Sequence, residues 1–228
     1  MTAAGALLHA GITSLPVDLF RVAEHFSVKV VDYAACADIY DITAEELYRT
    51  VSTQGFSFMD DGQFICAINA AACGKMRKRF TLAHELSHIL LSHVGGFGER
   101  PSEKVAAQQE KAADRFAAEL LAPLSVLHYC GVSSAQEVAR LCGISMEAAH
   151  YRFEELSRLR RRHAAILRSA ADSGDTAEMR SAFFSGSDEW ELFRQLLPFI
   201  GGYLTERSYH DGYADYLKRK SSSRMLTE

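Results

Sequence analysis

Apolar positions along this chain change period several times, and each change marks a predicted element. Residues 15–26 repeat their apolar positions at helical spacing, whereas 28–33 form a β-branched run that predicts a strand. Residues 42–50 read as a helix with Thr43 as N-cap and Glu46 three positions on, the spacing of a capping box. Two apolar runs, from Phe56 to Met59 and from Gln63 to Ile68, flank Asp60-Asp61-Gly62 and predict a tight hairpin. The run from Phe80 to Leu90 is apolar and helix-forming. In the next helical stretch Ala113, Phe116, Ala117, Leu120 and Leu121 share a face until Pro123 stops it. Residues 134–141 and 145–156 form helix, turn, helix around Gly143, an echo of a helix-turn-helix. A small, polar stretch at 170–177 reads as a linker, and 190–204 as an amphipathic helix that Pro198 bends or splits. Residues 218–228 are expected to fray.

The balance of these elements predicts an α+β fold that is mostly α, with a small antiparallel sheet. Three segments are expected: a core over residues 1–123, a helical segment packed on it over 124–169, and a helical extension over 178–228. With 228 residues the chain is long enough for a substantial core. A formal net charge of -4 argues against a strong nonspecific grip on nucleic acid. The five cysteines are an odd number without C-x-x-C spacing, which fits buried thiols in a reducing cytoplasm better than a disulfide framework or a Cys66–Cys73 switch. Neither a signal-peptide pattern nor an apolar run long enough to span a bilayer is evident, so a cytoplasmic protein with no membrane partner is expected.

Chemistry concentrates at His84-Glu85-Leu86-Ser87-His88, an H-E-x-x-H pattern inside the apolar helical run. With about 3.6 residues per turn, histidines four apart share one helix face and can offer two imidazole nitrogens to one metal ion. Glu85 is rotated off that line and can serve as a base for a metal-activated water. A third protein ligand is needed, and Glu110 is the candidate. Asp114, four positions later, shares its face and can accept the free N–H of a ligating histidine. Two solvated histidines on a surface helix would give the same five residues, so the acidic pair on a packing helix carries weight.

The segment Phe80-Thr81-Leu82-Ala83-His84-Glu85-Leu86-Ser87-His88, followed by Glu110, Ala113, Asp114, Phe116, Ala117, Leu120, Leu121 and Pro123, resembles the ImmA/IrrE family of metallopeptidases. The likeness runs over residues 55–156 and departs at Ser87, where glycine is commoner. It implies a zincin-like core with a C-terminal helical region. It also implies Zn2+ held by His84, His88 and Glu110, with Glu85 as general base and Asp114 behind a ligand. Family members cut a helix-turn-helix repressor, which implies a repressor protein as substrate. The competing expectation is a noncatalytic zinc-binding module that sequesters a repressor or an antitoxin-like partner.

Outside the motif, a zincin needs a group that stabilises the oxyanion, and His93, His128, Tyr129, His150 and Tyr151 are candidates that spacing does not separate. His93 lies five after His88, roughly 140° round a continuing helix, and is not expected as a ligand. The basic run from Lys75 to Arg79 reads as solvated charge where a loop enters the metal helix. Residues 94–101 are glycine-rich and join the two metal helices, as a simple connection or as a lip over a cleft. Arg152, Arg158, Arg160, Arg161 and Arg162 would serve a DNA-binding reading, but Glu147, His150, Glu154 and Glu155 share their helix. Direct nucleic-acid contact is therefore not expected.

Overall fold

The structure is a computed structural model that describes residues 1–71, 74–96, 101–173 and 186–225. Its elements in chain order are α1 (Ala3–His9), α2 (Leu19–His25), β1 (Val28–Asp32), α3 (Tyr33–Tyr40), α4 (Ala44–Thr50), β2 (Gly55–Asp60) and β3 (Gln63–Ile68). There follow α5 (Lys75–Leu90), α6 (Glu103–Leu121), α7 (Leu124–Tyr129), α8 (Ala135–Cys142), α9 (Met146–Ser173) and α10 (Ser187–Met225). The fold is α+β and mostly helical, as the periodicity predicts.

The small sheet is mixed, not purely antiparallel. β2 and β3 pair as the expected hairpin, closed by Asp61 and Gly62 with φ of 44° and 75°. Positive φ at both central residues is the type I′ turn, which matches strand twist and explains the Asp-Gly pair. β1 then lies parallel to β3 on its other side, giving the order β1-β3-β2. A parallel neighbour requires a long connection, and the one from β1 to β3 runs through α3, α4 and β2. At α4 the capping box forms as read: Glu46 N–H donates to Thr43 Oγ1, while Thr43 N–H donates to Glu46 Oε2.

The sheet packs on α5, and α5 packs on α6. Small residues set that second distance: Ala83, Ala113 and Ala117 are fully buried. Ser87 is also fully buried and donates to the Ala83 carbonyl at 2.7 Å, so the serine in place of glycine is satisfied within its own helix. Leu86 and Leu120 close the interface with almost no exposure. Complete burial of such a side chain contributes roughly 1.5–3 kcal/mol.

One cluster of buried apolar side chains takes members from all three expected segments, from Ala3 through Leu86, Leu120, Leu141 and Leu156 to Ile200. α10 docks on the amino-terminal region, with Thr2 Oγ1 donating to Asp188 at 2.6 Å and Gln195 donating to the Ile12 carbonyl at 2.7 Å. It is assigned as one helix through Pro198, where a bend or split is expected. α9 runs to Ser173, past the expected end near Leu156 and into the stretch read as a linker, whose remainder lies outside the described residues. No described helix is long and apolar enough to cross a membrane. Cys36, Cys66, Cys130 and Cys142 are buried and free, and Cys73 lies outside the described residues.

Candidate metal centre

The middle of α5 presents His84 and His88 on the face toward α6, and Glu110 comes down from α6 to meet them. Their ligand atoms form a tight triangle. His84 Nε2 is 3.1 Å from His88 Nε2, and Glu110 oxygens lie 3.2 Å from His84 Nε2 and 3.4 Å from His88 Nε2. Donors bound at about 2.0–2.1 Å in a tetrahedron would sit about 3.3–3.5 Å apart. The observed separations, two of them to different oxygens of Glu110, lie within or up to about 0.2 Å below that range, so the three residues could hold a small divalent ion. Among the described residues, this is the group whose His and carboxylate atoms converge in this way.

The nitrogens facing away from the triangle are held as well. His84 Nδ1 lies 2.9 Å from Asp114 Oδ1. A carboxylate there accepts the Nδ1 proton and leaves the Nε2 lone pair toward the metal position. His88 Nδ1 lies 3.3 Å from His93 Nδ1, a contact that helical projection does not anticipate. Burial, with the neighbouring His84 and His93 rings, holds the His88 pKa down at about 4. Burial lowers His93 too. Both rings are neutral near pH 7, the form that donates a lone pair.

Glu85 points from the same helix toward the sheet and is buried. Burial raises its pKa to about 7, while His84 and a hydrogen bond from Ser57 oppose that rise. The Ser57 hydroxyl on β2 donates to Glu85 Oε2 at 2.9 Å. Ser57 is a site residue that sequence reading misses; the alternation in β2 places it on the α5 side, but only the register of strand against helix brings it to Glu85. Gly55 explains how the two elements come so close. A Cβ there would sit 2.6 Å from Thr81 Cγ2 and 3.1 Å from the Ala67 carbonyl.

A cleft of about 580 Å³ opens over the triangle and is lined by β2, α5, α6 and residues 93–96. Because β2 is the edge of the sheet, residues from Gly55 to Phe58 border the cleft directly. At the far end Met59 N–H donates to the Gly95 carbonyl at 2.8 Å, so the described start of the glycine-rich connection pairs with the same edge. Residues 97–100 of that connection lie outside the described residues.

Other singled-out residues fall elsewhere. The run from Lys75 to Arg79 belongs to the first turns of α5; Arg77 Nε donates to Gln54 Oε1 at the cleft, and Arg79 turns inward to the Val17 carbonyl. Arg152 is buried and engaged by the Ala122 carbonyl, Glu119 and Glu155, and Arg160 donates to the Val132 carbonyl. His128 and Tyr129 sit on α7 near α9 and α10, and His150 and Tyr151 lie on α9; of the oxyanion candidates, His93 lines the metal cleft.

Two histidines from one helix and a glutamate from its packed neighbour form a two-histidine, one-carboxylate group that could hold a metal ion and opens on a sheet edge. Residues 45–154 match the family model of the IrrE N-terminal-like domain, a peptidase family. That match supports membership of the ImmA/IrrE family of metallopeptidases. A search of the curated proteins found no match.

Proposed function

We propose that this chain is a cytoplasmic zinc endopeptidase that cuts a helix-turn-helix repressor at a defined site and so relieves repression of a mobile element or a stress response. The observation that carries the reading is the placement of a buried carboxylate, Glu85, beside the His84–His88–Glu110 triangle at the floor of an open cleft. A pure binding module has no use for that carboxylate. The His2Glu donor set favours zinc among divalent ions.

His84, His88 and Glu110 would hold the ion, which when bound supplies a Lewis acid that acidifies water and polarises a carbonyl. Glu85 accepts the proton of the attacking water and passes it to the departing amine nitrogen. Ser57 fixes which carboxylate oxygen is free for that exchange, because Oε2 already accepts its hydroxyl hydrogen. An extended substrate segment lies along the open part of β2, pairing with backbone groups between Gly55 and Phe58, with its scissile carbonyl over the triangle. Family resemblance supports the choice of a repressor as substrate, and four buried free thiols fit a reducing compartment.

The test mixes zinc-loaded protein with candidate helix-turn-helix repressors and reads intact masses, with Glu85→Gln in parallel. One new pair of masses, produced by the wild type alone, is expected. A repressor that stays whole while co-eluting with the wild-type protein would instead support the sequestering module, and cleavage by Glu85→Gln at the wild-type rate would remove Glu85 as the base.

A further inference from the structure

The end of helix α5 is built to return the chain onto its own last metal-facing residue. After Leu90 the helix stops, with Leu91 as its C-cap and Ser92 left-handed at φ of 59°. Ser92 N–H donates to the Ile89 carbonyl at 3.0 Å, and His93 N–H donates to the His88 carbonyl at 2.8 Å. That pair of bonds is the Schellman motif, in which the second residue past the cap folds back over the final turn. A helix continuing through residue 93 would carry His93 round to another face. The reversal instead sets its ring against that of His88, with ring centres 5.3 Å apart and the two Nδ1 atoms 3.3 Å apart.

The proton assignments follow from which nitrogen of His88 faces the triangle. Nε2 lies within 3.4 Å of both His84 Nε2 and Glu110, so Nε2 supplies the lone pair for a metal and the His88 proton belongs on Nδ1. Two Nδ1 atoms at this distance share one proton, so His93 Nδ1 must be the acceptor. We propose that His93 is a positioning residue for His88: its neutral imidazole accepts the His88 Nδ1 proton and holds the ring with Nε2 aimed at the metal position. His93 thus does for His88 what Asp114 does for His84. That tautomer leaves the His93 proton on Nε2, so this ring offers the cleft a donor. The inference rests on the metal-centre reading given above, but not on the identity of the substrate.

The two variants that test it are His93→Asn, whose amide oxygen can replace Nδ1 as acceptor, and His93→Leu, which fills the space without one. Zinc affinity of the full chain is measured by competition with a chromophoric chelator, and the ligand field is read from the visible spectrum of the cobalt-substituted protein. His93→Leu is expected to lose about 10- to 100-fold in affinity and to shift the cobalt bands, with His93→Asn close to wild type on both counts. Thermal unfolding of the metal-free variants identifies any loss due to misfolding, and the Asn variant supplies the contrast in either case. Wild-type affinity in His93→Leu overturns the proposal, and so does an equal loss in both variants. A wild-type protein that takes up no zinc would overturn this inference together with the metal centre. Affinities that separate as expected in a protein that cuts no repressor would leave His93 in place and remove only the peptidase reading.

Discussion

Ser57 on β2 and Glu85 on α5 are joined by a 2.9 Å hydrogen bond, the point where the sheet edge touches the carboxylate beside the metal triangle. The hydroxyl is the donor, so it stabilises the charged carboxylate against a burial that opposes it. Ser57→Ala removes that support without touching His84, His88 or Glu110. With Glu85 as the proposed base, turnover is expected to fall by about 10-fold, less than the roughly 10²- to 10⁴-fold that a general base itself contributes, with zinc content unchanged. Repressor cleavage rate and metal content by elemental analysis decide it; a parallel loss of zinc would mean that Ser57 supports the whole site and not Glu85 alone.

Gly55 makes that contact possible because strand and helix meet where a side chain would stand. Gly55→Val would drive methyl groups into Thr81 and toward the Ala67 carbonyl. Overpacking of this kind costs about 1–3 kcal/mol, and each kcal/mol lowers the melting temperature of a chain this size by about 2–4 °C. Thermal unfolding of the variant should show that drop. An unchanged midpoint would mean that β2 can move off α5 without penalty.

Asp114 accepts from His84 Nδ1 at 2.9 Å. Asp114→Ala leaves that donor to water and lets the ring turn, so zinc affinity is expected to fall by about 10- to 100-fold. Asp114→Asn keeps an acceptor oxygen and should fall less. Calorimetric titration with zinc separates the two, and identical affinities for wild type and Asp114→Ala would remove Asp114 from the support of His84.

Much of this centre is legible in the sequence because it depends on helical spacing. His84 and His88 repeat at four, Glu110 and Asp114 repeat at four, and the alanines of α6 announce close packing before any coordinates are known. The hairpin is legible from Asp61-Gly62 and the capping box from Thr43 and Glu46 for the same local reason. Contacts set by tertiary register are not. Ser57 meets Glu85 across 28 positions of chain, and β1 joins β3 in parallel through a crossover that no short pattern encodes. His93 is a third kind of miss. Extending the helical projection past Leu90 puts it on the wrong side, since Ser92, unlike a glycine, gives little warning of a left-handed reversal. Arg152, which a DNA-binding reading would recruit, is buried among a carbonyl and two carboxylates.

Away from the metal centre, His128 should make stability depend on pH. Burial lowers its pKa to about 4, and the charge of Arg160 and the neighbouring His163 press in the same direction. Arg160 Nε donates to His128 Nδ1 at 3.4 Å, so that nitrogen is already an acceptor in the fold. An unfolded histidine titrates near 6.5. Between about pH 6.5 and pH 4 the unfolded chain therefore binds a proton that the folded chain refuses. The stability that His128 contributes is fully present above about pH 6.5 and is lost as pH falls toward the folded pKa near 4. Partial solvent screening of this half-buried ring reduces the full linkage value to on the order of 1 kcal/mol. His128→Gln keeps an acceptor and cannot titrate. Melting temperatures of the zinc-loaded wild type and variant, compared at pH 7.5 and pH 5, should converge at the lower pH by a few degrees. A gap between the two proteins that is the same at both pH values would show that His128 does not titrate in this window.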